Sequence, residues 1–178
     1  MTTKVTIDSN LLNLKQELES VNKLEELHKL GHIQIVGAER LFEEMRKYKP
    51  EAFEKVSKYK NIGEPFVIGR SRIGHAYISS DEEGLVTFRE LSEILFPNFA
   101  AEKLTENQVN DVMHLIAHAH SDSEYFITEN SKDFIHGKKN NKNRKSEMEN
   151  LTREILKEKS IIILTSAEAV ELFSAKYN

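Results

Sequence analysis

The sequence predicts an α/β fold: a single three-layer α/β/α domain around a central, mainly parallel sheet. Three observations predict it. Short apolar runs alternate along the chain with longer stretches of helical periodicity. Several of those runs, HIQIV at 32–36 and SIIIL at 160–164 among them, are nearly unbroken, as strands buried on both faces are. The 178-residue length carries no internal repeat or linker, which suits one domain with a real core.

The elements follow in order. Val5 and Ile7 alternate with polar neighbours in a first strand that ends on Asp8 and passes at once into Ser9, Asn10 and a helix over roughly residues 10–30. Leu11, Leu14, Leu18, Val21 and Leu24 form its stripe, and Gly31 is its C-terminal cap. HIQIV is the second strand. AERLFEEMRKY resumes as a helix with Leu41, Phe42 and Met45 on its apolar side. PFVIGRSRIGHAYIS (65–79) reads as a hairpin around a Gly-Arg-rich turn. Thr87 and Glu90 have capping-box spacing ahead of a short helix carrying Phe88, Leu91 and Leu95 and ended by Pro97. Thr105 and Gln108 cap the next helix, whose stripe is Val109, Val112, Ile116 and Ala119. EYFIT (124–128) is a compact strand. Ser146 and Glu149 open a helix with Leu151 and Ile155 inward, SIIIL is a fully buried strand, and Thr165 with Glu168 caps the last helix.

Composition excludes several classes. With no cysteine there are no disulfides, thiolate metal sites or thiol nucleophiles. No apolar run approaches the roughly 20 residues of a membrane span, and the N-terminus has no signal-peptide apolar core. The expected location is cytoplasmic. A net charge of −4 argues against a generally basic coat, so any nucleic-acid binding must be local.

Asp, Ser and Asn are all good helix caps, so Asp8-Ser9-Asn10 alone needs no function. The other acids add to it. Ligands of open parallel sheets bind beyond the C-terminal ends of the strands. That rule sets Asp8, at the end of the first strand, and Asp133, just after Tyr125–Thr128, on one rim. Glu44 lies beside the apolar face of its helix, with Glu43 further outward. Asp111 borders the buried stripe of its own helix, where an acid is costly unless hydrogen-bonded or metal-bound. Clustered carboxylates repel one another unless a cation joins them, and hard oxygen donors suit Mg²⁺ or Mn²⁺. Such ions activate water and stabilise charge developing on a phosphodiester. Neither GxxxxGKS/T nor GxGxxG occurs, so phosphate handling here would go through a metal.

Four stretches resemble the PIN-domain ribonucleases, the family that includes the VapC toxins. IDSNLL is similar to that family's opening acidic motif, LFEEMR to its glutamate helix, NDVMHLIAHA to its D-x-x-H-L helix, and YFITENSKDF to a strand followed by T-x-N-x-x-D-F. The closing IIILTSAEAVELF suits the last strand and helix. The register of LFEEMR selects Glu44 over Glu43. The resemblance covers 4–46 and 105–175. It implies one PIN-like domain over 1–178, in which 47–104 is an enlarged middle region atypical of the family. It further implies that Asp8, Glu44, Asp111 and Asp133 hold one or two divalent ions and that Ser9, Thr128 and Asn130 support them by hydrogen bonds. A metal-bound water would cleave RNA to leave a 5′-phosphate and a 3′-hydroxyl. Many PIN proteins carry an Asp where Asn130 stands, so Asp133 must complete the acidic set, or the set has only three strong members. The implied partners are RNA, an antitoxin protein and a second copy in a homodimer, with no membrane.

Two features lie beside this. His114 and His118 have a zinc-like spacing, but Leu115 stands where HExxH requires its glutamate. The expectation is that His114 packs or hydrogen-bonds near Asp111, with His118 and His120 partly exposed. The run GKKNNKNRK (137–145) reads as a solvated loop. Its place after Asp133 also lets Lys138, Lys139 and Arg144 grip phosphates flanking a cut, as Arg70, Arg72 and His75 could. Two rival readings stand: a non-catalytic PIN-like module binding RNA or protein, and an aspartyl-phosphate enzyme, whose D-x-D pattern Asn10 breaks.

Overall fold

A computed structural model describes residues 2–12, 18–64, 67, 81–129 and 154–177, with only the backbone at 52 and 81–86. The strands are β1 (Thr3–Ile7), β2 (Ile33–Gly37), β3 (Lys60–Asn61), β4 (Tyr125–Ile127) and β5 (Ile163–Leu164). They form one sheet in the order β3-β2-β1-β4-β5, and every neighbouring pair is parallel. The helices are α1 (Glu19–Lys29), α2 (Glu39–Tyr48), α3 (Pro50–Val56), α4 (Asp81–Leu95), α5 (Glu106–Ala119) and α6 (Ser166–Tyr177). A further helical stretch covers 154–158.

Parallel strands need long crossovers, and helices supply them on both faces. Val5, Ile7, Ile33, Ile35 and Ile127 pack with Leu24 of α1, Leu41 and Met45 of α2, Val56 of α3 and Phe173 of α6. Phe126 and Ile163 pack in the second core with Leu91 of α4 and Val112, Met113 and Ile116 of α5. The opposite allegiances of Phe126 and Ile127 are the two-residue alternation of a strand buried on both sides. The result is the expected α/β/α sandwich.

The chain runs outward from β1 through β2 to β3, then returns to lay β4 and β5 on the other side of β1. The direction of winding therefore reverses between β1 and β4, and ligands of such sheets bind in the crevice at that reversal. Ile7 pairs with Ile127, so Asp8 and Thr128 follow as neighbours at the crevice. At the end of β2 a Cβ on Gly37 would run into Leu41 and Phe42, so a glycine there lets α2 start directly against the sheet.

Several local expectations are corrected. A 3-10 turn over Ser9–Leu12 precedes the first long helix, which starts at Glu19. Helix α4 starts at Asp81, placing Thr87 inside it rather than at its cap. The strand read as SIIIL is the short edge strand Ile163–Leu164, and Ile162 is 36 % exposed, so it is not fully buried. The pairs Thr105–Gln108 and Thr165–Glu168 do form reciprocal caps. The hairpin expected at 65–79, with Arg70, Arg72 and His75, lies outside the described residues apart from Val67, and so do Leu14 and Ser146 to Leu151. Among the described residues no helix is long and apolar enough to cross a membrane.

Candidate functional site at the strand switch point

Asp8 is the first residue beyond β1 and is buried. Its backbone N–H still donates to Ile127 O at 3.0 Å, so the pairing with β4 holds the residue in place. Its carboxylate gathers donors from both sides of the crevice. Oδ1 accepts from the Ser9 backbone N–H at 2.6 Å, and Oδ2 accepts from Asn10 Nδ2 at 2.8 Å and Thr128 Oγ1 at 2.7 Å. Asn10 Nδ2 also donates to Thr128 Oγ1 at 3.0 Å, while its Oδ1 accepts from the Glu129 N–H at 3.1 Å. The turn after β1 is thus stitched to the turn after β4.

From the other side, α5 presents His114. Its Nδ1 lies 3.9 Å from Asp8 Oδ1 and its Nε2 4.0 Å from Glu44 Oε1 of α2. Both separations are too long for hydrogen bonds. Nδ1 is buried with no hydrogen-bond partner among the described residues. Glu44 Oε1 is fixed instead by Asn110 Nδ2 at 2.8 Å, and Asn110 Oδ1 accepts in turn from Arg40. Arg40 also donates to Glu64 at 2.9 Å in a buried ion pair. A cavity of about 320 Å³ opens between α2 and α5, lined by Ser9, Arg40, Glu43, Glu44, Asp111 and His114 among others.

Burial dominates the electrostatics of this corner. It pushes the Asp8 pKa up, against the opposing pull of His114 and of the Thr128 and Ser9 hydrogen bonds, and Glu44 raises it further. Glu64 is likewise raised by burial, with Arg40 opposing. One turn along α5, His118 is pushed down to about 4 by burial alone.

The structure therefore gathers Asp8, Ser9, Glu44, Asp111 and Thr128 around one crevice and cavity. Glu43 lines the cavity as well as Glu44, so the helix presents both. Asn130, Asp133, Lys138, Lys139 and Arg144 lie outside the described residues. The expectation for His118 is corrected: it is buried against Thr6 and Phe126 of the sheet, while His120 is exposed. His114 faces Asp8 and Glu44, a closer involvement than packing near Asp111. Arg40 and Asn110 went unread, since nothing local ties Arg40 to Glu64 or Asn110 to Glu44. Asn10 was legible as a helix-cap residue within the IDSNLL motif, not as a bond from the first strand's end to Thr128 and Glu129.

No protein-family model matches the chain, and neither a curated protein nor a solved structure does. Among the described residues no three Asp, Glu or His side chains already close on a single point. The carboxylates of Glu43, Glu44 and Asp111 and the His114 imidazole nevertheless line the cavity, and hard oxygens with an imidazole are donors that suit a divalent cation.

Proposed function

We propose that the protein is a metal-dependent endoribonuclease of PIN type, hydrolysing RNA phosphodiesters in the cavity beside the β1–β4 switch point. The observation that carries this reading is Asp8. It is a buried carboxylate at the end of the central strand, tied to Thr128 across the crevice and facing a cavity-lining histidine between itself and Glu44. A carboxylate whose charge is disfavoured by burial becomes favourable as an anion beside a cation.

Asp8, Glu44 and Asp111, with Asp133, are the group that would hold Mg²⁺ or Mn²⁺. When bound, such an ion supplies Lewis acidity toward a phosphoryl oxygen and lowers the pKa of water. The chain's own residues do the positioning. Asn110 holds Glu44 in orientation, and Ser9, Asn10 and Thr128 hold Asp8. Ser9, Thr128 and Asn130 support the acids in this reading, and Lys138, Lys139 and Arg144 would grip the phosphates on either side of the cut. The expected products carry a 5′-phosphate and a 3′-hydroxyl. An antitoxin protein, a homodimer and a cytoplasmic location belong to the same reading.

The test incubates wild type and Asp8→Asn with a panel of structured RNAs in Mn²⁺, Mg²⁺ or chelator, with fragments and end groups resolved. Metal-dependent cuts bearing 5′-phosphates, lost in a folded Asp8→Asn protein, are the expected result. Full activity in Asp8→Asn would sink the mechanism. RNA bound but left intact by folded wild-type protein in every metal would favour the non-catalytic module.

A further inference from the structure

Beside its acids the cavity has an aromatic ring at its mouth. Arg40, Glu44 and Tyr48 follow one another at intervals of four along α2, and all three line the cavity. Residues so spaced share one face of a helix. Arg40 is buried, Glu44 is partly covered, and Tyr48, the last residue of α2, is 63 % exposed. The series therefore runs from the floor of the cavity to its mouth, with Tyr48 about 6 Å along the helix axis from Glu44. Glu43 and Lys47 line the cavity with the same spacing beside it.

An exposed ring by itself needs no explanation. Leu30 and Phe99 are exposed too, but of the exposed large apolar side chains among the described residues only Tyr48 lines the cavity. The Lys47 ammonium lies over its ring, 4.6 Å from the centroid. Charge singles out the same lip. The chain's net charge is −4, yet residues 46–60 hold six Lys and Arg against two acids. Of these Lys55 is paired with Glu25 and Arg46 lies over the Phe53 ring, while Lys47 is exposed beside Tyr48. The α5 lip offers an acid and an amide, Glu106 and Asn107. A polyanion that enters therefore meets both its cations and a π-face on the α2 side. Basic groups that track a backbone, interleaved with rings on which bases stack, are the combination that holds a single nucleic-acid strand.

We propose that Tyr48 is a base platform: the base beside the scissile phosphate stacks on its ring, and Lys47 meets the adjoining phosphate. This rests on the ribonuclease reading above and deepens it, because it names the residue that sets where the strand is cut. A base on that ring has left its own stack, so the platform selects an unpaired nucleotide at this position.

The chain has no tryptophan, so Tyr48→Trp places a single fluorophore at the mouth of the cavity. The probe is a phosphorothioate-linked oligoadenylate of about 12 nucleotides, which resists cutting, titrated in Mn²⁺. The expected result is a quenched tryptophan with the single strand and none with the same strand in a duplex. By polarisation, Tyr48→Ala should bind the strand about 5- to 100-fold more weakly, and Tyr48→Phe should bind as wild type does. An abasic position opposite the ring should weaken wild type and leave Tyr48→Ala unmoved, a response that a merely structural tyrosine would not give. Lys47→Gln should reduce the slope of log affinity against log salt by about 0.7. A strand bound without quenching, and equally well by Tyr48→Ala, would overturn the platform and leave the ribonuclease reading standing. Unmoved RNA affinity with an altered oligomeric state in sedimentation would also overturn it, and assign Tyr48 to a protein contact. No RNA bound by wild type in any metal would overturn both.

Discussion

His114 and His118 sit one turn apart on α5, 2 % and 1 % exposed, and their surroundings differ completely. His118 Nδ1 shares a hydrogen bond with Thr6 Oγ1 at 3.0 Å, and its ring meets Phe126 edge-on. His114 faces two carboxylates, and its Nδ1 has no hydrogen-bond partner among the described residues. The difference comes from β1. Four residues along a helix advance about 6 Å, and two residues along a strand advance about 6.6 Å and return to the same face. One turn of α5 therefore keeps step with Thr6 and Asp8, with His118 over the interior of the strand and His114 over its end. Inside the sheet the histidine finds a hydroxyl and becomes part of the core. At the rim, two residues further on, it finds an acid and opens onto a cavity. Residue type, helix and burial are shared, and the place along the strand decides the chemistry.

The largest expected effect separates the two outright. His114→Gln should lower metal-dependent RNA cleavage at least 10- to 100-fold while shifting stability by no more than about 1 kcal/mol, since Nδ1 makes no hydrogen bond among the described residues. His118→Leu should do the reverse. It strands the Thr6 hydroxyl in the core and should cost about 1–3 kcal/mol in denaturant unfolding, with cleavage per folded molecule unchanged. Cleavage kinetics alongside urea unfolding of both variants check this. A pair in which His118→Leu loses activity and His114→Gln keeps it would erase the distinction.

A smaller effect comes from pH. The His118 pKa is held at about 4 in the fold, below the ordinary value near 6.5 that it regains on unfolding. Its contribution to stability is fully present above about 6.5 and is lost as pH falls toward 4, by about 3 kcal/mol at most. Asp8 acts with the opposite sign. Burial raises its pKa, so its proton is favoured in the fold and its contribution is lost as pH rises through the folded value. Unfolding free energies measured between pH 7 and 4 should fall less steeply in His118→Leu than in wild type. Equal slopes would show that His118 does not carry the acid sensitivity.

Much of the frame was legible from local pattern. The strands β1, β2 and β4 are short apolar runs, and the cap of α5 is written in Thr105 and Gln108. What escaped was set by tertiary contact. Lys60–Asn61 is exposed and polar, and it is a strand only because β2 offers an edge to pair with. Helix α4 runs through Thr87 because capping-box spacing also occurs inside helices, where the side chain has no free N–H groups to cap. In the site, the strand-end rule brought Asp8 to the rim, and helical register brought Glu44 and Asp111. Asn110 and Arg40 could not be read in advance, because their bonds cross 24 to 70 residues of chain. The orphaned nitrogen of His114 follows from the step-for-step match of α5 to β1, which no single segment displays.

The smallest effect sharpens that match. Thr105 caps α5 at its N-terminus, donating its backbone N–H to Gln108 Oε1 at 2.9 Å and accepting from the Gln108 N–H at 3.4 Å. Removing such a cap by Thr105→Ala should cost about 1 kcal/mol. The lost bonds belong to the first turn, which carries Glu106 and Asn107 of the cavity wall. Amide exchange should therefore quicken over the first turn of α5 and stay unchanged around His118, which the sheet holds independently. Cleavage should drop by less than about 3-fold, roughly the rate equivalent of a fraction of that 1 kcal/mol, because His114 lies two turns beyond the cap. Exchange that quickens equally at His118 would mean that α5 opens as one unit, and that its two histidines are less separable than their neighbours on β1 imply.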